Sequence, residues 1–351
     1  MSVSENNGHK VIKPSEVINY INLCRVVAIY GVVLIHASGA FFNQYGAIPL
    51  VDWLSANFLD SLARFTVPLF VMLSGALLLK PDAQFATPFK LATRISKVLF
   101  PLIVWSFIYL LYVSNHTGMP VDWLSILKRP AMYHLWFVYM IIGIYVLIPL
   151  FQVIFLEIHN NRYLQLYLLG IWLVISCLPI HWPLPLLTLL HQKSFFGYGG
   201  YFLIGAVLAN SPKDRVPSEL WIIIFVISVF ITFFLTWEFS TQANAPVQKA
   251  YWNFSLNIFI SSIAAFILFK RIQVPKYLTK SLQWLSNRCF LIYFVHILVL
   301  ESVRYSNFVA TLNQHVPLLL TILFISIATF LISLIFAAVI RVIPGSQRVF
   351  G

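Results

Sequence analysis

The sequence predicts an all-α integral membrane protein, a bundle of about ten transmembrane helices with both termini in the cytoplasm. Three observations predict it. Hydrophobic residues make up 60% of the 351-residue chain and charged residues only 10%, where a soluble domain carries about 25% charge. Mean hydropathy is +0.85. The apolar residues gather into stretches near the roughly 17–25 residues a helix needs to cross a bilayer, and the basic residues gather between those stretches.

Taken in order, the ten stretches are 20–43, 57–79, 98–114, 134–156, 163–181, 195–210, 219–238, 250–269, 289–303 and 316–340. The sixth and ninth are short. Residues 1–19 read as a polar cytoplasmic tail, 20–340 as one transmembrane domain and 341–351 as a second cytoplasmic tail. Arg25 inside the first apolar run argues against a cleaved signal peptide. No internal repeat supports an inverted-repeat transporter.

Of the 23 Lys and Arg, sixteen fall in the tails and even-numbered loops and five in the odd-numbered loops, which places both termini inside. Trp53, Trp123, Trp136, Trp182 and Trp252 fall near the outer ends of spans, where interfacial indoles are expected. The net charge of +12 does not imply nucleic acid, because the basic residues sit in short loops rather than on a stripe with exposed aromatics. Cys24, Cys177 and Cys289 lack metal-type spacing and read as reduced packing residues. No His-Glu-x-x-His or Cys-x-x-Cys supports a metal site. There is also no Gly-x-Ser-x-Gly elbow and no glycine-rich phosphate loop.

Arg25 and His36 stand eleven residues apart in the first stretch. At about 100° per residue this is three turns plus about 20°, so both share one helix face, separated by about 16 Å along the axis. A charge on a spanning helix costs roughly 2.5–3.5 kcal/mol on insertion scales, so it usually has a task and a partner. Guanidinium binds phosphate through paired donors, and a neutral imidazole suits general-base work on a hydroxyl. Together they point to a long anionic ligand. The bland alternatives are an arginine neutralised by a carbonyl or acid and a histidine bonded across helices. Arg94 and Lys97 lie three residues apart in a basic loop, which is either a topology signal or a second phosphate site. Asp60 and Arg64, one turn apart, read most simply as an ion pair, and Ser74-Gly75 as a close-packing pair. His296 lies near the middle of the ninth stretch, with Tyr293 one turn before it.

These residues resemble the acyltransferase-3 family of membrane proteins that acylate carbohydrates. Arg25-x10-His36 resembles its first-helix signature, and Arg64-Phe-Thr-Val-Pro-Leu-Phe-Val-Met-Leu-Ser-Gly75 its second-helix block. Arg94-Ile-Ser-Lys97 resembles its Arg-x-x-Arg element, with lysine in the second place. Tyr133-His-Leu-Trp-Phe137, Tyr201-Phe-Leu-Ile-Gly-Ala206 and Leu291-Ile-Tyr-Phe-Val-His-Ile297 follow in family order, so the likeness covers about 18–340. The resemblance implies an O-acetyltransferase of the bacterial inner membrane. It would move an acetyl group from cytoplasmic acetyl-CoA to a hydroxyl of a cell-surface or lipid-linked glycan. It implies His36 as the catalytic residue and Arg25, Arg94 and Lys97 as the residues that hold CoA; beside these, Arg64 and His296 are substrate-binding candidates, for acceptor binding or thioester polarisation. Direct transfer and an acetyl-histidine intermediate both remain open. A transporter or flippase for a lipid-linked glycan is the alternative from another class, and a structural scaffold the third.

Overall fold

The computed structural model describes residues 14–82, 84–181, 195–212 and 215–351. Lys10, Lys13, Trp182, Lys193 and Lys213, used above for topology, lie outside the described residues. The described residues form helices and no strands. That follows from the bilayer, which offers no water to unpaired backbone groups, so a spanning segment bonds within itself.

The helices are α1 (Pro14–Phe42), α2 (Leu50–Ala63), α3 (Thr66–Leu78), α4 (Pro88–Thr117), α5 (Trp136–Val146), α6 (Ile148–Ile158), α7 (Arg162–Ser176), α8 (Phe195–Asn210), α9 (Ser218–Ala243), α10 (Leu256–Arg271), α11 (Lys276–Ser286), α12 (Cys289–Arg304), α13 (Asn307–His315), α14 (Leu318–Ile340) and α15 (Ser346–Phe350). Short 3-10 turns, Tyr133–Leu135 among them, link some of these.

Seven segments are long and apolar enough to cross a membrane unbroken, with α2 and α3 acting together as Leu50–Leu78. Two further pairs qualify if each counts as one bent span. The predicted 134–156 stretch bends by 65° between α5 and α6, where Pro149 lacks the N–H that would continue the ladder. The predicted 289–303 stretch is α12, set at 59° to the preceding α11. The sixth stretch is α8, a helix of 16 residues, too short to pass unaided.

Local signals set the ends of α4. Thr87 caps it by accepting from the Lys90 N–H at 3.3 Å, Pro88 stands in its first turn, and Gly118 ends it at φ +69°.

Lipid tails are as apolar as leucine, so these helices associate through close packing of small residues. At Gly75 an added Cβ would fall 1.8 Å from the Phe202 carbonyl oxygen, and at Gly205 2.1 Å from that of Met72. α3 and α8 therefore meet backbone to backbone, which is the use of the small pair at Ser74-Gly75. A Cβ at Gly31 would meet the Thr66 side chain at 2.3 Å, so α1 crosses the start of α3 equally closely.

One expectation changes, and the C-terminal segment gains detail. Trp53 is no interfacial indole: it is buried in α2, and its Nε1 donates to the Phe42 carbonyl at 2.8 Å. Burial with a satisfied N–H outcompeted the interface here. Trp123 and Trp252 are exposed. Residues 341–351 also fold back rather than trail. Trp105 donates to the Phe350 carbonyl at 3.1 Å, and Arg341 to that of Gly351 at 3.2 Å.

Candidate active site

α1 runs unbroken through both Arg25 and His36, so the helix geometry read from the spacing holds. His36 is half-buried, and two more imidazoles come to it. Its ring centroid lies 5.4 Å from that of His296 on α12, and His296 lies 5.1 Å from His134 in the turn before α5. Tyr133 packs edge-on against His36 at 5.2 Å.

His134 and His296 are both buried. His296 Nδ1 lies 2.6 Å from the Tyr293 carbonyl. A carbonyl only accepts, so that nitrogen carries the proton and Nε2 keeps its lone pair. The Tyr293 hydroxyl donates to the main-chain carbonyl of His134. Tyr109 donates to the Phe294 carbonyl at 2.7 Å, and its ring stands 5.0 Å from His134. A cavity of about 30 Å³ lies between His36, His134, Val32, Val67, Phe70 and Tyr293. That is room for about one water or one small functional group.

The Arg25 end is built from the same three elements. Arg25 is half-buried and makes no hydrogen bond or ion pair among the described residues. Its charge acts on Tyr145 at the end of α5 and on Cys289 at the start of α12. Tyr145 lies within electrostatic range of Arg94 as well. Tyr145 stands eleven residues after His134, the same interval that separates Arg25 from His36. α1, α12 and the segment from the Tyr133–Leu135 turn through α5 thus supply residues near both His36 and Arg25.

Arg94 and Lys97 are placed unequally. Arg94 is half-buried, whereas Lys97 is exposed, because three residues turn about 300° and leave the two about 60° apart on the helix.

Arg64 is committed elsewhere. Its Nη2 donates to Asp60 Oδ2 at 2.8 Å, and its Nε sits 2.6 Å from Oδ1 at an angle outside hydrogen-bond geometry. The guanidinium lies over the Tyr251 ring at 4.1 Å, and Tyr251 donates to Asn57 Oδ1 at 2.5 Å. Arg64 remains close enough for its charge to act on His36.

No group of three or more His, Cys, Asp or Glu among the described residues is arranged to hold a metal ion. His134 is the residue that sequence reasoning passed over as a site candidate. An ionisable side chain beside an apolar stretch was the available signal.

The family described as acyltransferase domain (Acyl_transf_3) matches residues 18–338. The chain belongs to this family. By family and composition it is a multi-pass membrane protein built around a domain of this family. It is similar to the succinoglycan biosynthesis protein ExoH of Rhizobium meliloti (strain 1021), 32% identical over 112 residues, which span 30% of this chain and 30% of the relative. No solved structure matches it.

Proposed function

We propose that this acyltransferase is an O-acetyltransferase that moves acetyl from acetyl-CoA to a hydroxyl of a cell-surface or lipid-linked glycan. The observation that supports the reading is the grouping of residues: α1, α12 and the turn-plus-helix that ends in α5 each bring one residue near His36 and one into the electrostatic range of Arg25. The axial interval of about 16 Å suits an extended pantetheine arm with phosphates at one end and a thioester at the other. Arg25 and Arg94 hold phosphate oxygens, with Lys97 adding charge at the rim. The acceptor hydroxyl attacks the thioester carbonyl carbon while His36 takes its proton. The C–S bond then breaks, and the CoA thiolate recovers the proton from His36.

Acetyl-CoA reaches the arginines from the cytoplasm, and the glycan meets His36 from the outer side of a bacterial inner membrane. A relative named for succinoglycan biosynthesis supports a polysaccharide acceptor. The Lys128–Gln152 stretch resembles enterobacterial common antigen O-acetyltransferases. That likeness is used for the reaction and not for the acceptor.

The test is release of free CoA by purified protein supplied with acetyl-CoA and a glycan acceptor, with mass spectrometry of the glycan for one added acetyl group. Substrate movement across vesicles without thioester consumption would instead establish the transport reading.

A further inference from the structure

We propose that His134 is a second catalytic residue, the donor that holds the thioester oxygen as it gains charge. This rests on the acetyltransferase reading. His134 is 2% exposed, and neither of its ring nitrogens has a hydrogen-bond partner. The Phe294 carbonyl lies near enough to act on the ring, but outside hydrogen-bond geometry. A neutral imidazole has one N–H and one lone pair, and buried polar groups are almost always paired. An unpaired one therefore needs an explanation, and a ligand atom supplies it.

The cavity between His134 and His36 identifies that atom. At about 30 Å³ it admits a carbonyl or hydroxyl group but no sugar ring. Its lining includes both the proposed base and an imidazole whose ring nitrogens have no hydrogen-bond partner. Most of the remaining lining is apolar or aromatic, Val32, Val67, Phe70 and Phe137 among it, so a hydrogen bond there is little weakened by water. His296 is not among the residues lining this cavity, though its ring packs against both imidazoles. That assigns thioester polarisation to His134 and leaves His296 a positioning residue.

The position is prepared in advance. The Tyr293 hydroxyl holds the His134 carbonyl, and Tyr109 and His296 pack against its ring. Such fixed donors act because they need not reorganise as charge develops. In the addition step the acceptor oxygen bonds to the acetyl carbon and its proton passes to His36. The carbonyl π pair moves onto the oxygen, which accepts from His134 N–H. In the collapse that pair returns, the C–S bond breaks, and the thiolate takes the proton from His36.

Purified wild type, His134→Phe and His134→Gln are compared for kcat and for KM with acetyl-CoA. Loss of one such donor is expected to lower kcat about 10²–10³-fold, with KM changed by less than about threefold. His134→Gln retains an N–H donor and recovers at least about tenfold of that loss. Should His134→Phe not elute as folded protein, His134→Leu takes its place. A donor-less variant within about threefold of wild-type kcat, or a glutamine variant no better than it, overturns the assignment alone. A folded wild type that consumes no thioester overturns the acetyltransferase reading and this assignment with it.

Discussion

The Tyr293 hydroxyl donates to the main-chain carbonyl of His134, tying α12 to the turn that starts α5. Both partners are buried, and one turn beyond Tyr293 on the same helix stands His296. One hydrogen bond therefore sets the spacing of two of the three imidazoles. Tyr293→Phe removes the hydroxyl donor while the Trp136 N–H still reaches that carbonyl, so the cost should be about 0.5–1.5 kcal/mol. The unfolding midpoint should fall and turnover should drop further than the unfolding accounts for. A variant matching wild type in both would show that packing alone positions His134.

His36→Ala should abolish acetyl transfer while leaving membrane abundance unchanged. His36 is half-buried beside a small cavity and makes no hydrogen bond among the described residues, so its removal costs only ring packing against Tyr133 and His296. Retained turnover would remove the base assignment.

The two arginines at the other end predict a different kinetic signature. Hydrogen bonds to charged groups are worth about 1.5–3 kcal/mol, so Arg25→Ala and Arg94→Ala should each raise KM for acetyl-CoA by about ten- to a hundredfold with little change in kcat. Lys97 is exposed, and Lys97→Ala should shift KM by less than about threefold, since exposed charges interact weakly. Titration with CoA alone checks the binding part. Equal losses for all three would mean that Lys97 turns inward when ligand binds.

Arg64 should behave as a structural residue. Asp60 is 0% exposed, and breaking a buried pair by removing one partner costs about 3–5 kcal/mol. Arg64→Ala should lower the unfolding midpoint, and Asp60→Asn combined with Arg64→Gln should restore much of it. Full stability with lost activity would return Arg64 to the substrate-binding candidates.

Gly75 offers a control on the helix contact. Gly75→Ala places a carbon where the Phe202 carbonyl sits, and overpacking of this kind costs about 1–3 kcal/mol or more. Gly170→Ala meets nothing within 4 Å and should be neutral. The amounts of folded protein recovered from membranes give the comparison.

Much of this was legible before any coordinates. The Arg25–His36 alignment depends only on the helical period, which is local and follows once a stretch is apolar enough to span. The Asp60–Arg64 pair, one turn apart, was equally readable. His134 was not, because its neighbours come from α1 and α12, and nothing local to residue 134 says which helices will flank it. Trp53 shows the same limit: near a span end, it went to the Phe42 carbonyl rather than to the interface.

By itself the sequence determined the membrane class, the order of the helices, and a cation and an imidazole on one face of the first helix. Only the tertiary structure decided that His134 and His296 complete that face, that Arg64 is held by Asp60 and Tyr251, and that Arg94 turns inward while Lys97 does not. The physical reason is that a bilayer strongly favours helix formation within each segment but hardly distinguishes one helix face from another. Facing is settled by backbone contacts such as Gly75 on Phe202 and by scattered polar pairs, whose partners are distant in the chain.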